Sequence, residues 1–512
     1  MAPPTDEPLL ALDEIQGNII PGFLKDHQHF IFFSITDASA ARSCLSKMNS
    51  RLSTAAEVLE AHRIWKSMRD RLGHEPDSAH YVFLNVALSA TGLRKLTSTP
   101  EVDDFADVAF KLGLAERSGY IGDPSVKTDS GHVSGWVIGG PAHPVDGVVI
   151  MASDDLPWLE DEQKKIIKEI TSQGMSVVHQ DRGDVHGAPK PGHEQFGFKD
   201  GISLPSVRGR WSKEPYDFVY PRTFPRGTSF DTVKADFAEP GSRLIWPGHF
   251  LFGYGRQKGD DPRTYDSANQ PKGPIWARDG SLMVYRRLRQ STDEFWRFVE
   301  DTSKALAKKY PKSAPDKQRF SALLVGRWAS GTPVTRSPDK DVGITGDAQN
   351  YFAYDNAPTP ALPGDSAANM ADPDGLSCPL GAHIRKVNPR DQATDLGFAE
   401  RTPPRSILRR GITYSAKSDD KGLLFVCYQS SIVDQFEFLM NRWVNKPNAP
   451  RDHAGHDPIL ALGPDRVFDL PIENKVEEIP VSKAFVVPTG GEYFFSPSIA
   501  FFKKTLLSFA RK

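Results

Sequence analysis

One pattern recurs four times along the chain and restricts its fold more than any other feature. An apolar, strand-like run passes through a Ser/Thr/Asp-rich step into an amphipathic, helix-like segment. The four copies are HFIFFSITDASAARSCL (29–45), YVFLNVALSATGLRKL (81–96), LMVYRRLRQSTDEFWRFV (282–299) and LLFVCYQSSIVDQFEFLM (423–440). In the third, Ser291 and Glu294 have the S-x-x-E spacing of a capping box, and Phe295, Phe298 and Val299 supply an inward stripe. Apolar runs bounded by turn residues predict further strands at 145–153, 175–180, 320–326 and 491–497. Two units lie before residue 100 and two after 280. That spacing predicts an α+β architecture in two similar halves, 1–245 and 246–512, each a helix-covered sheet. Between the strand-rich regions, 203–275 is rich in Pro, Gly and Arg, and 329–380 is a long turn-forming insertion of the kind that walls functional sites.

With 512 residues the chain can bury a deep core without staples. A formal net charge of -2 argues against a polyanionic partner, so nucleic acid is not expected. Cys44, Cys378 and Cys427 are scattered and form no CxxC, which excludes a disulfide framework or zinc ribbon. No basic-then-apolar leader and no run long enough to cross a bilayer is written, so no membrane association is expected. The expected location is cytoplasmic, or secreted by a route not visible in the sequence.

Three segments invite a chemical reading. FGFKDGIS (196–203) sets Asp200 among Gly197, Phe198 and Gly201, an acid where water is scarce, although K-D-G is also a common turn. GAHIRKVNPRD (381–391) puts small residues before His383, which would let a planar group approach, and follows it with Arg385, Lys386 and Arg390. An imidazole beside cations suits a ligand that carries negative charge, such as a cofactor carboxylate; a solvated basic turn is the bland alternative. In RSILRRGITYS (405–415), Arg409 and Arg410 point to opposite sides if the chain is extended. His186 and His193, with Asp184, form a weaker candidate for a divalent cation.

FGFKDGIS, AHIRKVNPRD, ILRRG, GLLFVCYQSSIVDQFEF and GGEYFFSPS occur in that order, and the set resembles the dye-decolorizing peroxidases, most closely the members with long insertions. The resemblance runs from EIQGNIIPGF (14–23) to GGEYFFSPS (490–498). It implies two ferredoxin-like domains with antiparallel sheets packed around a haem, which the C-terminal one mainly holds. The implied activity is peroxidase: hydrogen peroxide is reduced while dyes, phenols and related aromatic donors are oxidised in one-electron steps. A haem-binding or iron-release protein with little turnover is the alternative.

Residue by residue, the resemblance maps His383 onto the proximal ligand of the haem iron, Asp200 onto the distal acid–base residue and Arg409 onto the distal arginine. It makes Leu423 and Phe425, alternate residues of one strand, the walls that narrow the distal pocket. Asp457 is the expected partner of the proximal imidazole, with Glu437 as the second choice. Tyr414 and Trp443 are the expected surface electron-transfer residues. Arg385 and Arg410 are expected to meet the haem propionates on charge and position. Haem b would be held noncovalently, since no C-x-x-C-H motif is present. The physiological donor, a Mn²⁺ site and the choice between monomer and homo-oligomer are not written in the sequence.

Overall fold

The computed structural model describes residues 7–73, 81–214, 217–223, 237–238, 241–355 and 371–509. Each recurring unit forms a strand followed by helix. The first gives β1 (His27–Ile35) and α1 (Ala38–Met48), whose N-terminus is capped by Asp37 accepting from the Ser39 and Ala40 amides. After α2 (Ala55–Leu72), the second gives β2 (Phe83–Ser89) and α3 (Ala90–Leu96). Then come β3 (Gly147–Ser153), α4 (Leu156–Ser172) and β4 (Met175–Asp184). The third unit gives β5 (Ser281–Gln290) and α5 (Thr292–Lys309), followed by α6 (Lys317–Val325) and the short α7 (His383–Val387). Strands β6 (Leu408–Arg409), β7 (Ile412–Lys417) and β8 (Asp420–Gln429) precede the π-helical turn Ile432–Glu437, and β9 (Val486–Ser496) closes the sheet.

These nine strands join one antiparallel sheet in the order β6-β8-β5-β9-β2-β3-β1-β4, with β7 also on β8; the remaining described strands form three small sheets outside it. Within each half the order is that of a ferredoxin-like βαββαβ unit: β4-β1-β3-β2 in the first, and β9-β5-β8-β6/β7 in the second. The halves meet where Phe494 and Phe495 of β9 pair with Ser89 and Leu88 of β2. At the far edges the sheet curls onto itself. Thr413 Oγ1 on β7 donates to the Asp184 carbonyl at the end of β4 (2.5 Å), and Gly183 lies so close to Ile412 that a Cβ there would sit 2.2 Å from its Cγ2.

Alternation along β1 shows how the two faces differ. Phe30 and Phe32 point into the barrel with Tyr285, Tyr414, Leu424 and Phe494, whereas Ile31 and Phe33 point outward against α1, α3 and α4. Burying one such phenylalanine contributes about 1.5–3 kcal/mol. In the second half the same rule sends Leu424 and Val426 inward and leaves Leu423, Phe425 and Cys427 on the outer face.

Two local expectations were wrong. FSALLVG (320–326) is the end of α6 and not a strand: Asp316 caps the helix by accepting from the Arg319 amide, and Gly326 ends it at φ +93. A short apolar run carries no period that separates helix from strand. The Ser291–Glu294 capping box does not form either. The Ser291 side chain makes no cap bond, and Glu294 instead accepts from Arg297. The inward stripe of Phe295, Phe298 and Val299 is present. Parts of the 203–275 and 329–380 insertions lie outside the described residues.

Candidate active site

The outer face of the second half carries the acid–arginine pair. Phe196 and Phe198 are buried, with Phe196 stacked on Phe295 of α5 at 4.4 Å, so the loop is pinned to the helix by its aromatic residues. Gly197 (φ +95) and Gly201 (φ +75) take backbone conformations that side-chain-bearing residues avoid, and between them they turn Asp200 back toward the sheet. Asp200 Oδ1 accepts from the Gly201 amide at 2.6 Å and from Arg409 Nη1 at 3.1 Å. Arg409 also donates from Nη2 to the Ser203 carbonyl (3.2 Å).

Arg409 reaches this place because β6 pairs with β8: Arg409 lies opposite Cys427 and shares the outer face with Phe425 and Leu423. Leu423 and Phe425 are half-buried there, and Phe425 packs against Phe436. Arg410 points to the other face. Its guanidinium donates to the Asn18, Ile19 and Arg409 carbonyls.

Burial pushes the Asp200 carboxyl up, but the Arg409 guanidinium, the Gly201 amide and the charge of His383 together outweigh it and hold the group below the usual aspartate value. His383 is thus near enough to Asp200 to contribute to that lowering. Asp200 and Arg409 each keep about a third of the side chain accessible, 35% and 30%.

His383 opens α7. Its Nδ1 lies 2.8 Å from Asp457 Oδ2, while Asp457 Oδ1 accepts from the Ile459 and Leu460 amides at 2.8 and 3.0 Å. Asp457 is wholly buried, yet the imidazole and the two amides hold its carboxyl below the ordinary range against the pull of desolvation. An ionised carboxylate that accepts the Nδ1 proton leaves the Nε2 lone pair for a metal, the way a carboxylate orients a metal-binding histidine. Glu437, the second choice, is elsewhere, bound by Arg117 and the Tyr493 hydroxyl. The small residue before His383 serves a different purpose from the one expected: a Cβ on Gly381 would meet the Ala454 carbonyl at 2.4 Å, so the glycine admits backbone and not a planar ligand.

Several expected roles have no geometric basis. Arg385 is buried with all five N–H groups committed, to Gln392, the Asp372 carboxylate and the carbonyls of Cys378, Asp372 and Pro373. Arg385 therefore has no donor left for a propionate, and Arg410 faces the opposite side of the strand from Arg409. Tyr414 is 1% exposed, with its hydroxyl on Asp420 at 3.0 Å, and Trp443 is fully buried with Nε1 on Asp395 at 2.9 Å, so neither is a surface residue. No cation site forms at His186 and His193: His186 faces Asp26, His193 bonds the Pro191 carbonyl, and among the described residues no cluster of three or more His, Cys, Asp or Glu side chains has metal-binding geometry.

Two cations outside the expected set lie here. Arg327 is buried and Arg390 half-buried, and neither has a carboxylate partner among the described residues. Both donate to Ser203 Oγ, from Arg327 Nη2 (2.8 Å) and Arg390 Nη2 (3.1 Å). Arg390 also donates to the Asn350 and Phe352 carbonyls and to Asn350 Oδ1, and Arg327 to the Gly331 and Gln349 carbonyls. Desolvation depresses both guanidinium groups, to about 9 for Arg327 and about 10 for Arg390, and for Arg327 the charges of Arg390 and Arg409 add to it. Their signal was readable: arginines in GRW and NPRD segments that fold into the interior need an anion. A free imidazole nitrogen, apolar walls and a buried guanidinium, Arg327, with no carboxylate partner among the described residues suit a haem and its carboxylates.

A ferredoxin-like barrel whose outer face opposes an acid–arginine pair to a carboxylate-held imidazole defines a haem peroxidase. Residues 14–187 match the DyP dimeric alpha+beta barrel domain and residues 253–454 the C-terminal part of the Dyp-type peroxidases. The chain is 31% identical to a dye-decolorizing peroxidase of Mycetinis scorodonius, covering 97% of this chain and 88% of that one. It is also similar to the solved structure of an ancestral D-type dye decolorizing peroxidase (TM-score 0.74, 30% identity, 97% of this chain and 99% of that one) and to a dye-decolorizing peroxidase in complex with 2,6-dimethoxyphenol (TM-score 0.72, 29% identity, 97% and 100%). The chain belongs to the dye-decolorizing peroxidase family. No helix among the described residues is long and apolar enough to cross a membrane.

Proposed function

We propose that the chain binds haem b through His383 Nε2 and uses hydrogen peroxide to oxidise phenols, dyes and related aromatic donors one electron at a time. What supports this reading is the presence of two pairs, His383–Asp457 and Asp200–Arg409, close enough for His383 to act on the Asp200 carboxyl. When bound, haem supplies an iron centre that takes two oxidising equivalents from peroxide and gives them up singly to donors.

The protein's part is to place protons and charge. Asp200, ionised at the operating pH, accepts the proton from one peroxide oxygen and returns it to the other, which departs as water. Asp200 Oδ1 is held by Gly201 and Arg409, and no described residue engages Oδ2, so that oxygen is the proton carrier. Arg409 keeps a fixed positive charge beside the separating oxygens, where a preorganised donor acts without solvent reorganisation. Asp457 holds the proton on Nδ1 of His383 and makes the imidazole a stronger electron donor. Arg327, whose N–H groups are not all spent, would hold a haem carboxylate in place of Arg385. Leu423 and Phe425 keep the distal side narrow enough for peroxide and too narrow for a dye, so bulky donors deliver electrons from outside this pocket.

The test is the absorption spectrum of the haem-loaded protein before and after rapid mixing with peroxide, for the native chain and for Asp200→Asn. A fast peroxide-dependent spectral change that slows in the variant supports the reading. A native protein that binds no haem, or an unaltered rate in Asp200→Asn, refutes it.

A further inference from the structure

The loop that carries Asp200 is folded around a second acid. Glu194 Oε1 accepts from the Phe198 amide at 2.9 Å, and Oε2 accepts from the Phe196 amide at 2.9 Å and from Gln290 Nε2 at 2.5 Å. Main-chain bonds close the same turn: the Glu194 amide donates to the Phe198 carbonyl and the Gly197 amide to the Glu194 carbonyl, each at 2.9 Å. Gln290 is the last residue of β5 and also accepts from the Gln195 amide (3.3 Å), so the turn is tied to the sheet at two points. Gln195 in turn donates to the Tyr414 carbonyl of β7 (3.1 Å).

The carboxylate is costly where it stands. Burial pushes it up to about 7, the charge of Asp200 adds to the rise, and the two amides and Gln290 pull it back. An apolar side chain would avoid that cost but would leave the Phe196 and Phe198 amides unpaired in the interior. Those two residues bracket Gly197, whose positive φ aims the chain toward Asp200.

We infer that Glu194 is a positioning residue for the peroxide reaction: by bonding the Phe196 and Phe198 amides from inside the turn it fixes where Asp200 stands relative to Arg409. The inference rests on the proposed proton-transfer role of Asp200. Glu194 touches neither peroxide nor haem and acts through the backbone of the turn.

The test uses the holoenzyme with Glu194→Gln, Gln290→Ala and Asp200→Asn. Glutamine keeps the size but turns an NH2 group toward the donors, so at least one Phe amide loses its acceptor. Hydrogen exchange at the Phe196 and Phe198 amides is expected to speed up in Glu194→Gln. The rate of reaction with peroxide is expected to fall about 10- to 100-fold, the scale of a small misplacement of a catalytic group. KM for an aromatic donor should stay at the native value, and the fall in rate is read above pH 7, where native Glu194 is ionised and both its oxygens accept. Gln290→Ala, which leaves the carboxylate but cuts its tie to β5, should shift the same quantities less and carries the test if Glu194→Gln does not fold. Faster amide exchange with a native peroxide rate overturns the inference, since Glu194 then only shapes the loop. Unchanged exchange overturns it as well. If Asp200→Asn slows the reaction and the Glu194 and Gln290 variants do not, positioning alone fails; if Asp200→Asn is also silent, the reading beneath it fails too.

Discussion

The two sides of the proposed haem volume are built on opposite principles. On the His383 side every bond is closed. Asp457 is fully buried and spends both oxygens, on the imidazole and on two amides. Three residues further along α7, Lys386 is wholly buried and gives its ammonium to the carbonyls of Lys446, Ala449 and Gly455, which ties the helix to the segment leading into Asp457. On the Asp200 side the pair is a third open, one carboxylate oxygen is committed and the other is not, and the acid stands on a loop shaped by glycines of positive φ. The contrast separates two tasks. A group that must stay in one protonation state is surrounded by fixed partners, and a group that must lose and regain a proton keeps a free lone pair. The open side pays for this with a less rigid support.

The largest expected effect breaks the closed side outright. His383→Ala should abolish haem retention, read as loss of the Soret band after gel filtration, while leaving the fold, since the helix-covered barrel does not depend on the imidazole. Retained haem with native turnover would remove the distinction between the sides. Next is the open side: Asp200→Asn should lower the rate with peroxide by about 10²–10⁴-fold, the range for general acid–base groups, with haem content unchanged. Loss of haem in this variant would mean that the loop is a structural support for the cofactor and not a proton carrier. A smaller effect is expected from Asp457→Asn, about 10- to 100-fold in activity or cofactor affinity. It should also raise the reduction potential of the iron, because the imidazole loses anionic character. An unchanged potential would show that Asp457 only orients the ring.

The same contrast explains what could be read from the sequence. The strand–helix units were legible because alternation and amphipathic period repeat within ten or so residues, and β1, β2, β5 and β8 lie where that pattern put them. The joining of the halves into one sheet was not, since it rests on the pairing of β9 with β2 across most of the chain. At the site, Asp200 and Arg409 stood out by their local motifs. Asp457, 74 residues from His383, was reachable only through the family resemblance. The cations nearest in sequence to the histidine misled: Arg385 is consumed by Asp372, whereas Arg327, far upstream, reaches Ser203 beside the pocket. Charge next to a ligand in sequence does not say which way the side chain leaves the backbone. Tyr414 failed as a surface residue for the same reason. β7 turns its ring into the barrel, where Arg287 covers it at 4.3 Å.

The smallest effect gives the sharpest measure of the open side, because it concerns only the balance of forces on Asp200. Desolvation raises its carboxyl, and the charge of Arg409 is foremost among the influences that bring it below 3.8, the ordinary aspartate value. For a group depressed in this way the ionised, proton-accepting form persists above the depressed value and is lost as pH falls through it. The acid limb of the peroxide reaction should therefore lie below 3.8 in the native protein. Arg409→Leu removes the foremost opposing charge and leaves burial resisted by the Gly201 amide, so the limb should move to higher pH. Arg409→Lys keeps a positive charge while losing the planar fork, so its limb should stay near the native position even as the rate falls from poorer placement. Rates across pH, each scaled to its own plateau, separate the two variants. If both limbs move together, geometry and not charge keeps Asp200 ionised. If neither moves, the acid that limits the reaction is not the one Arg409 holds.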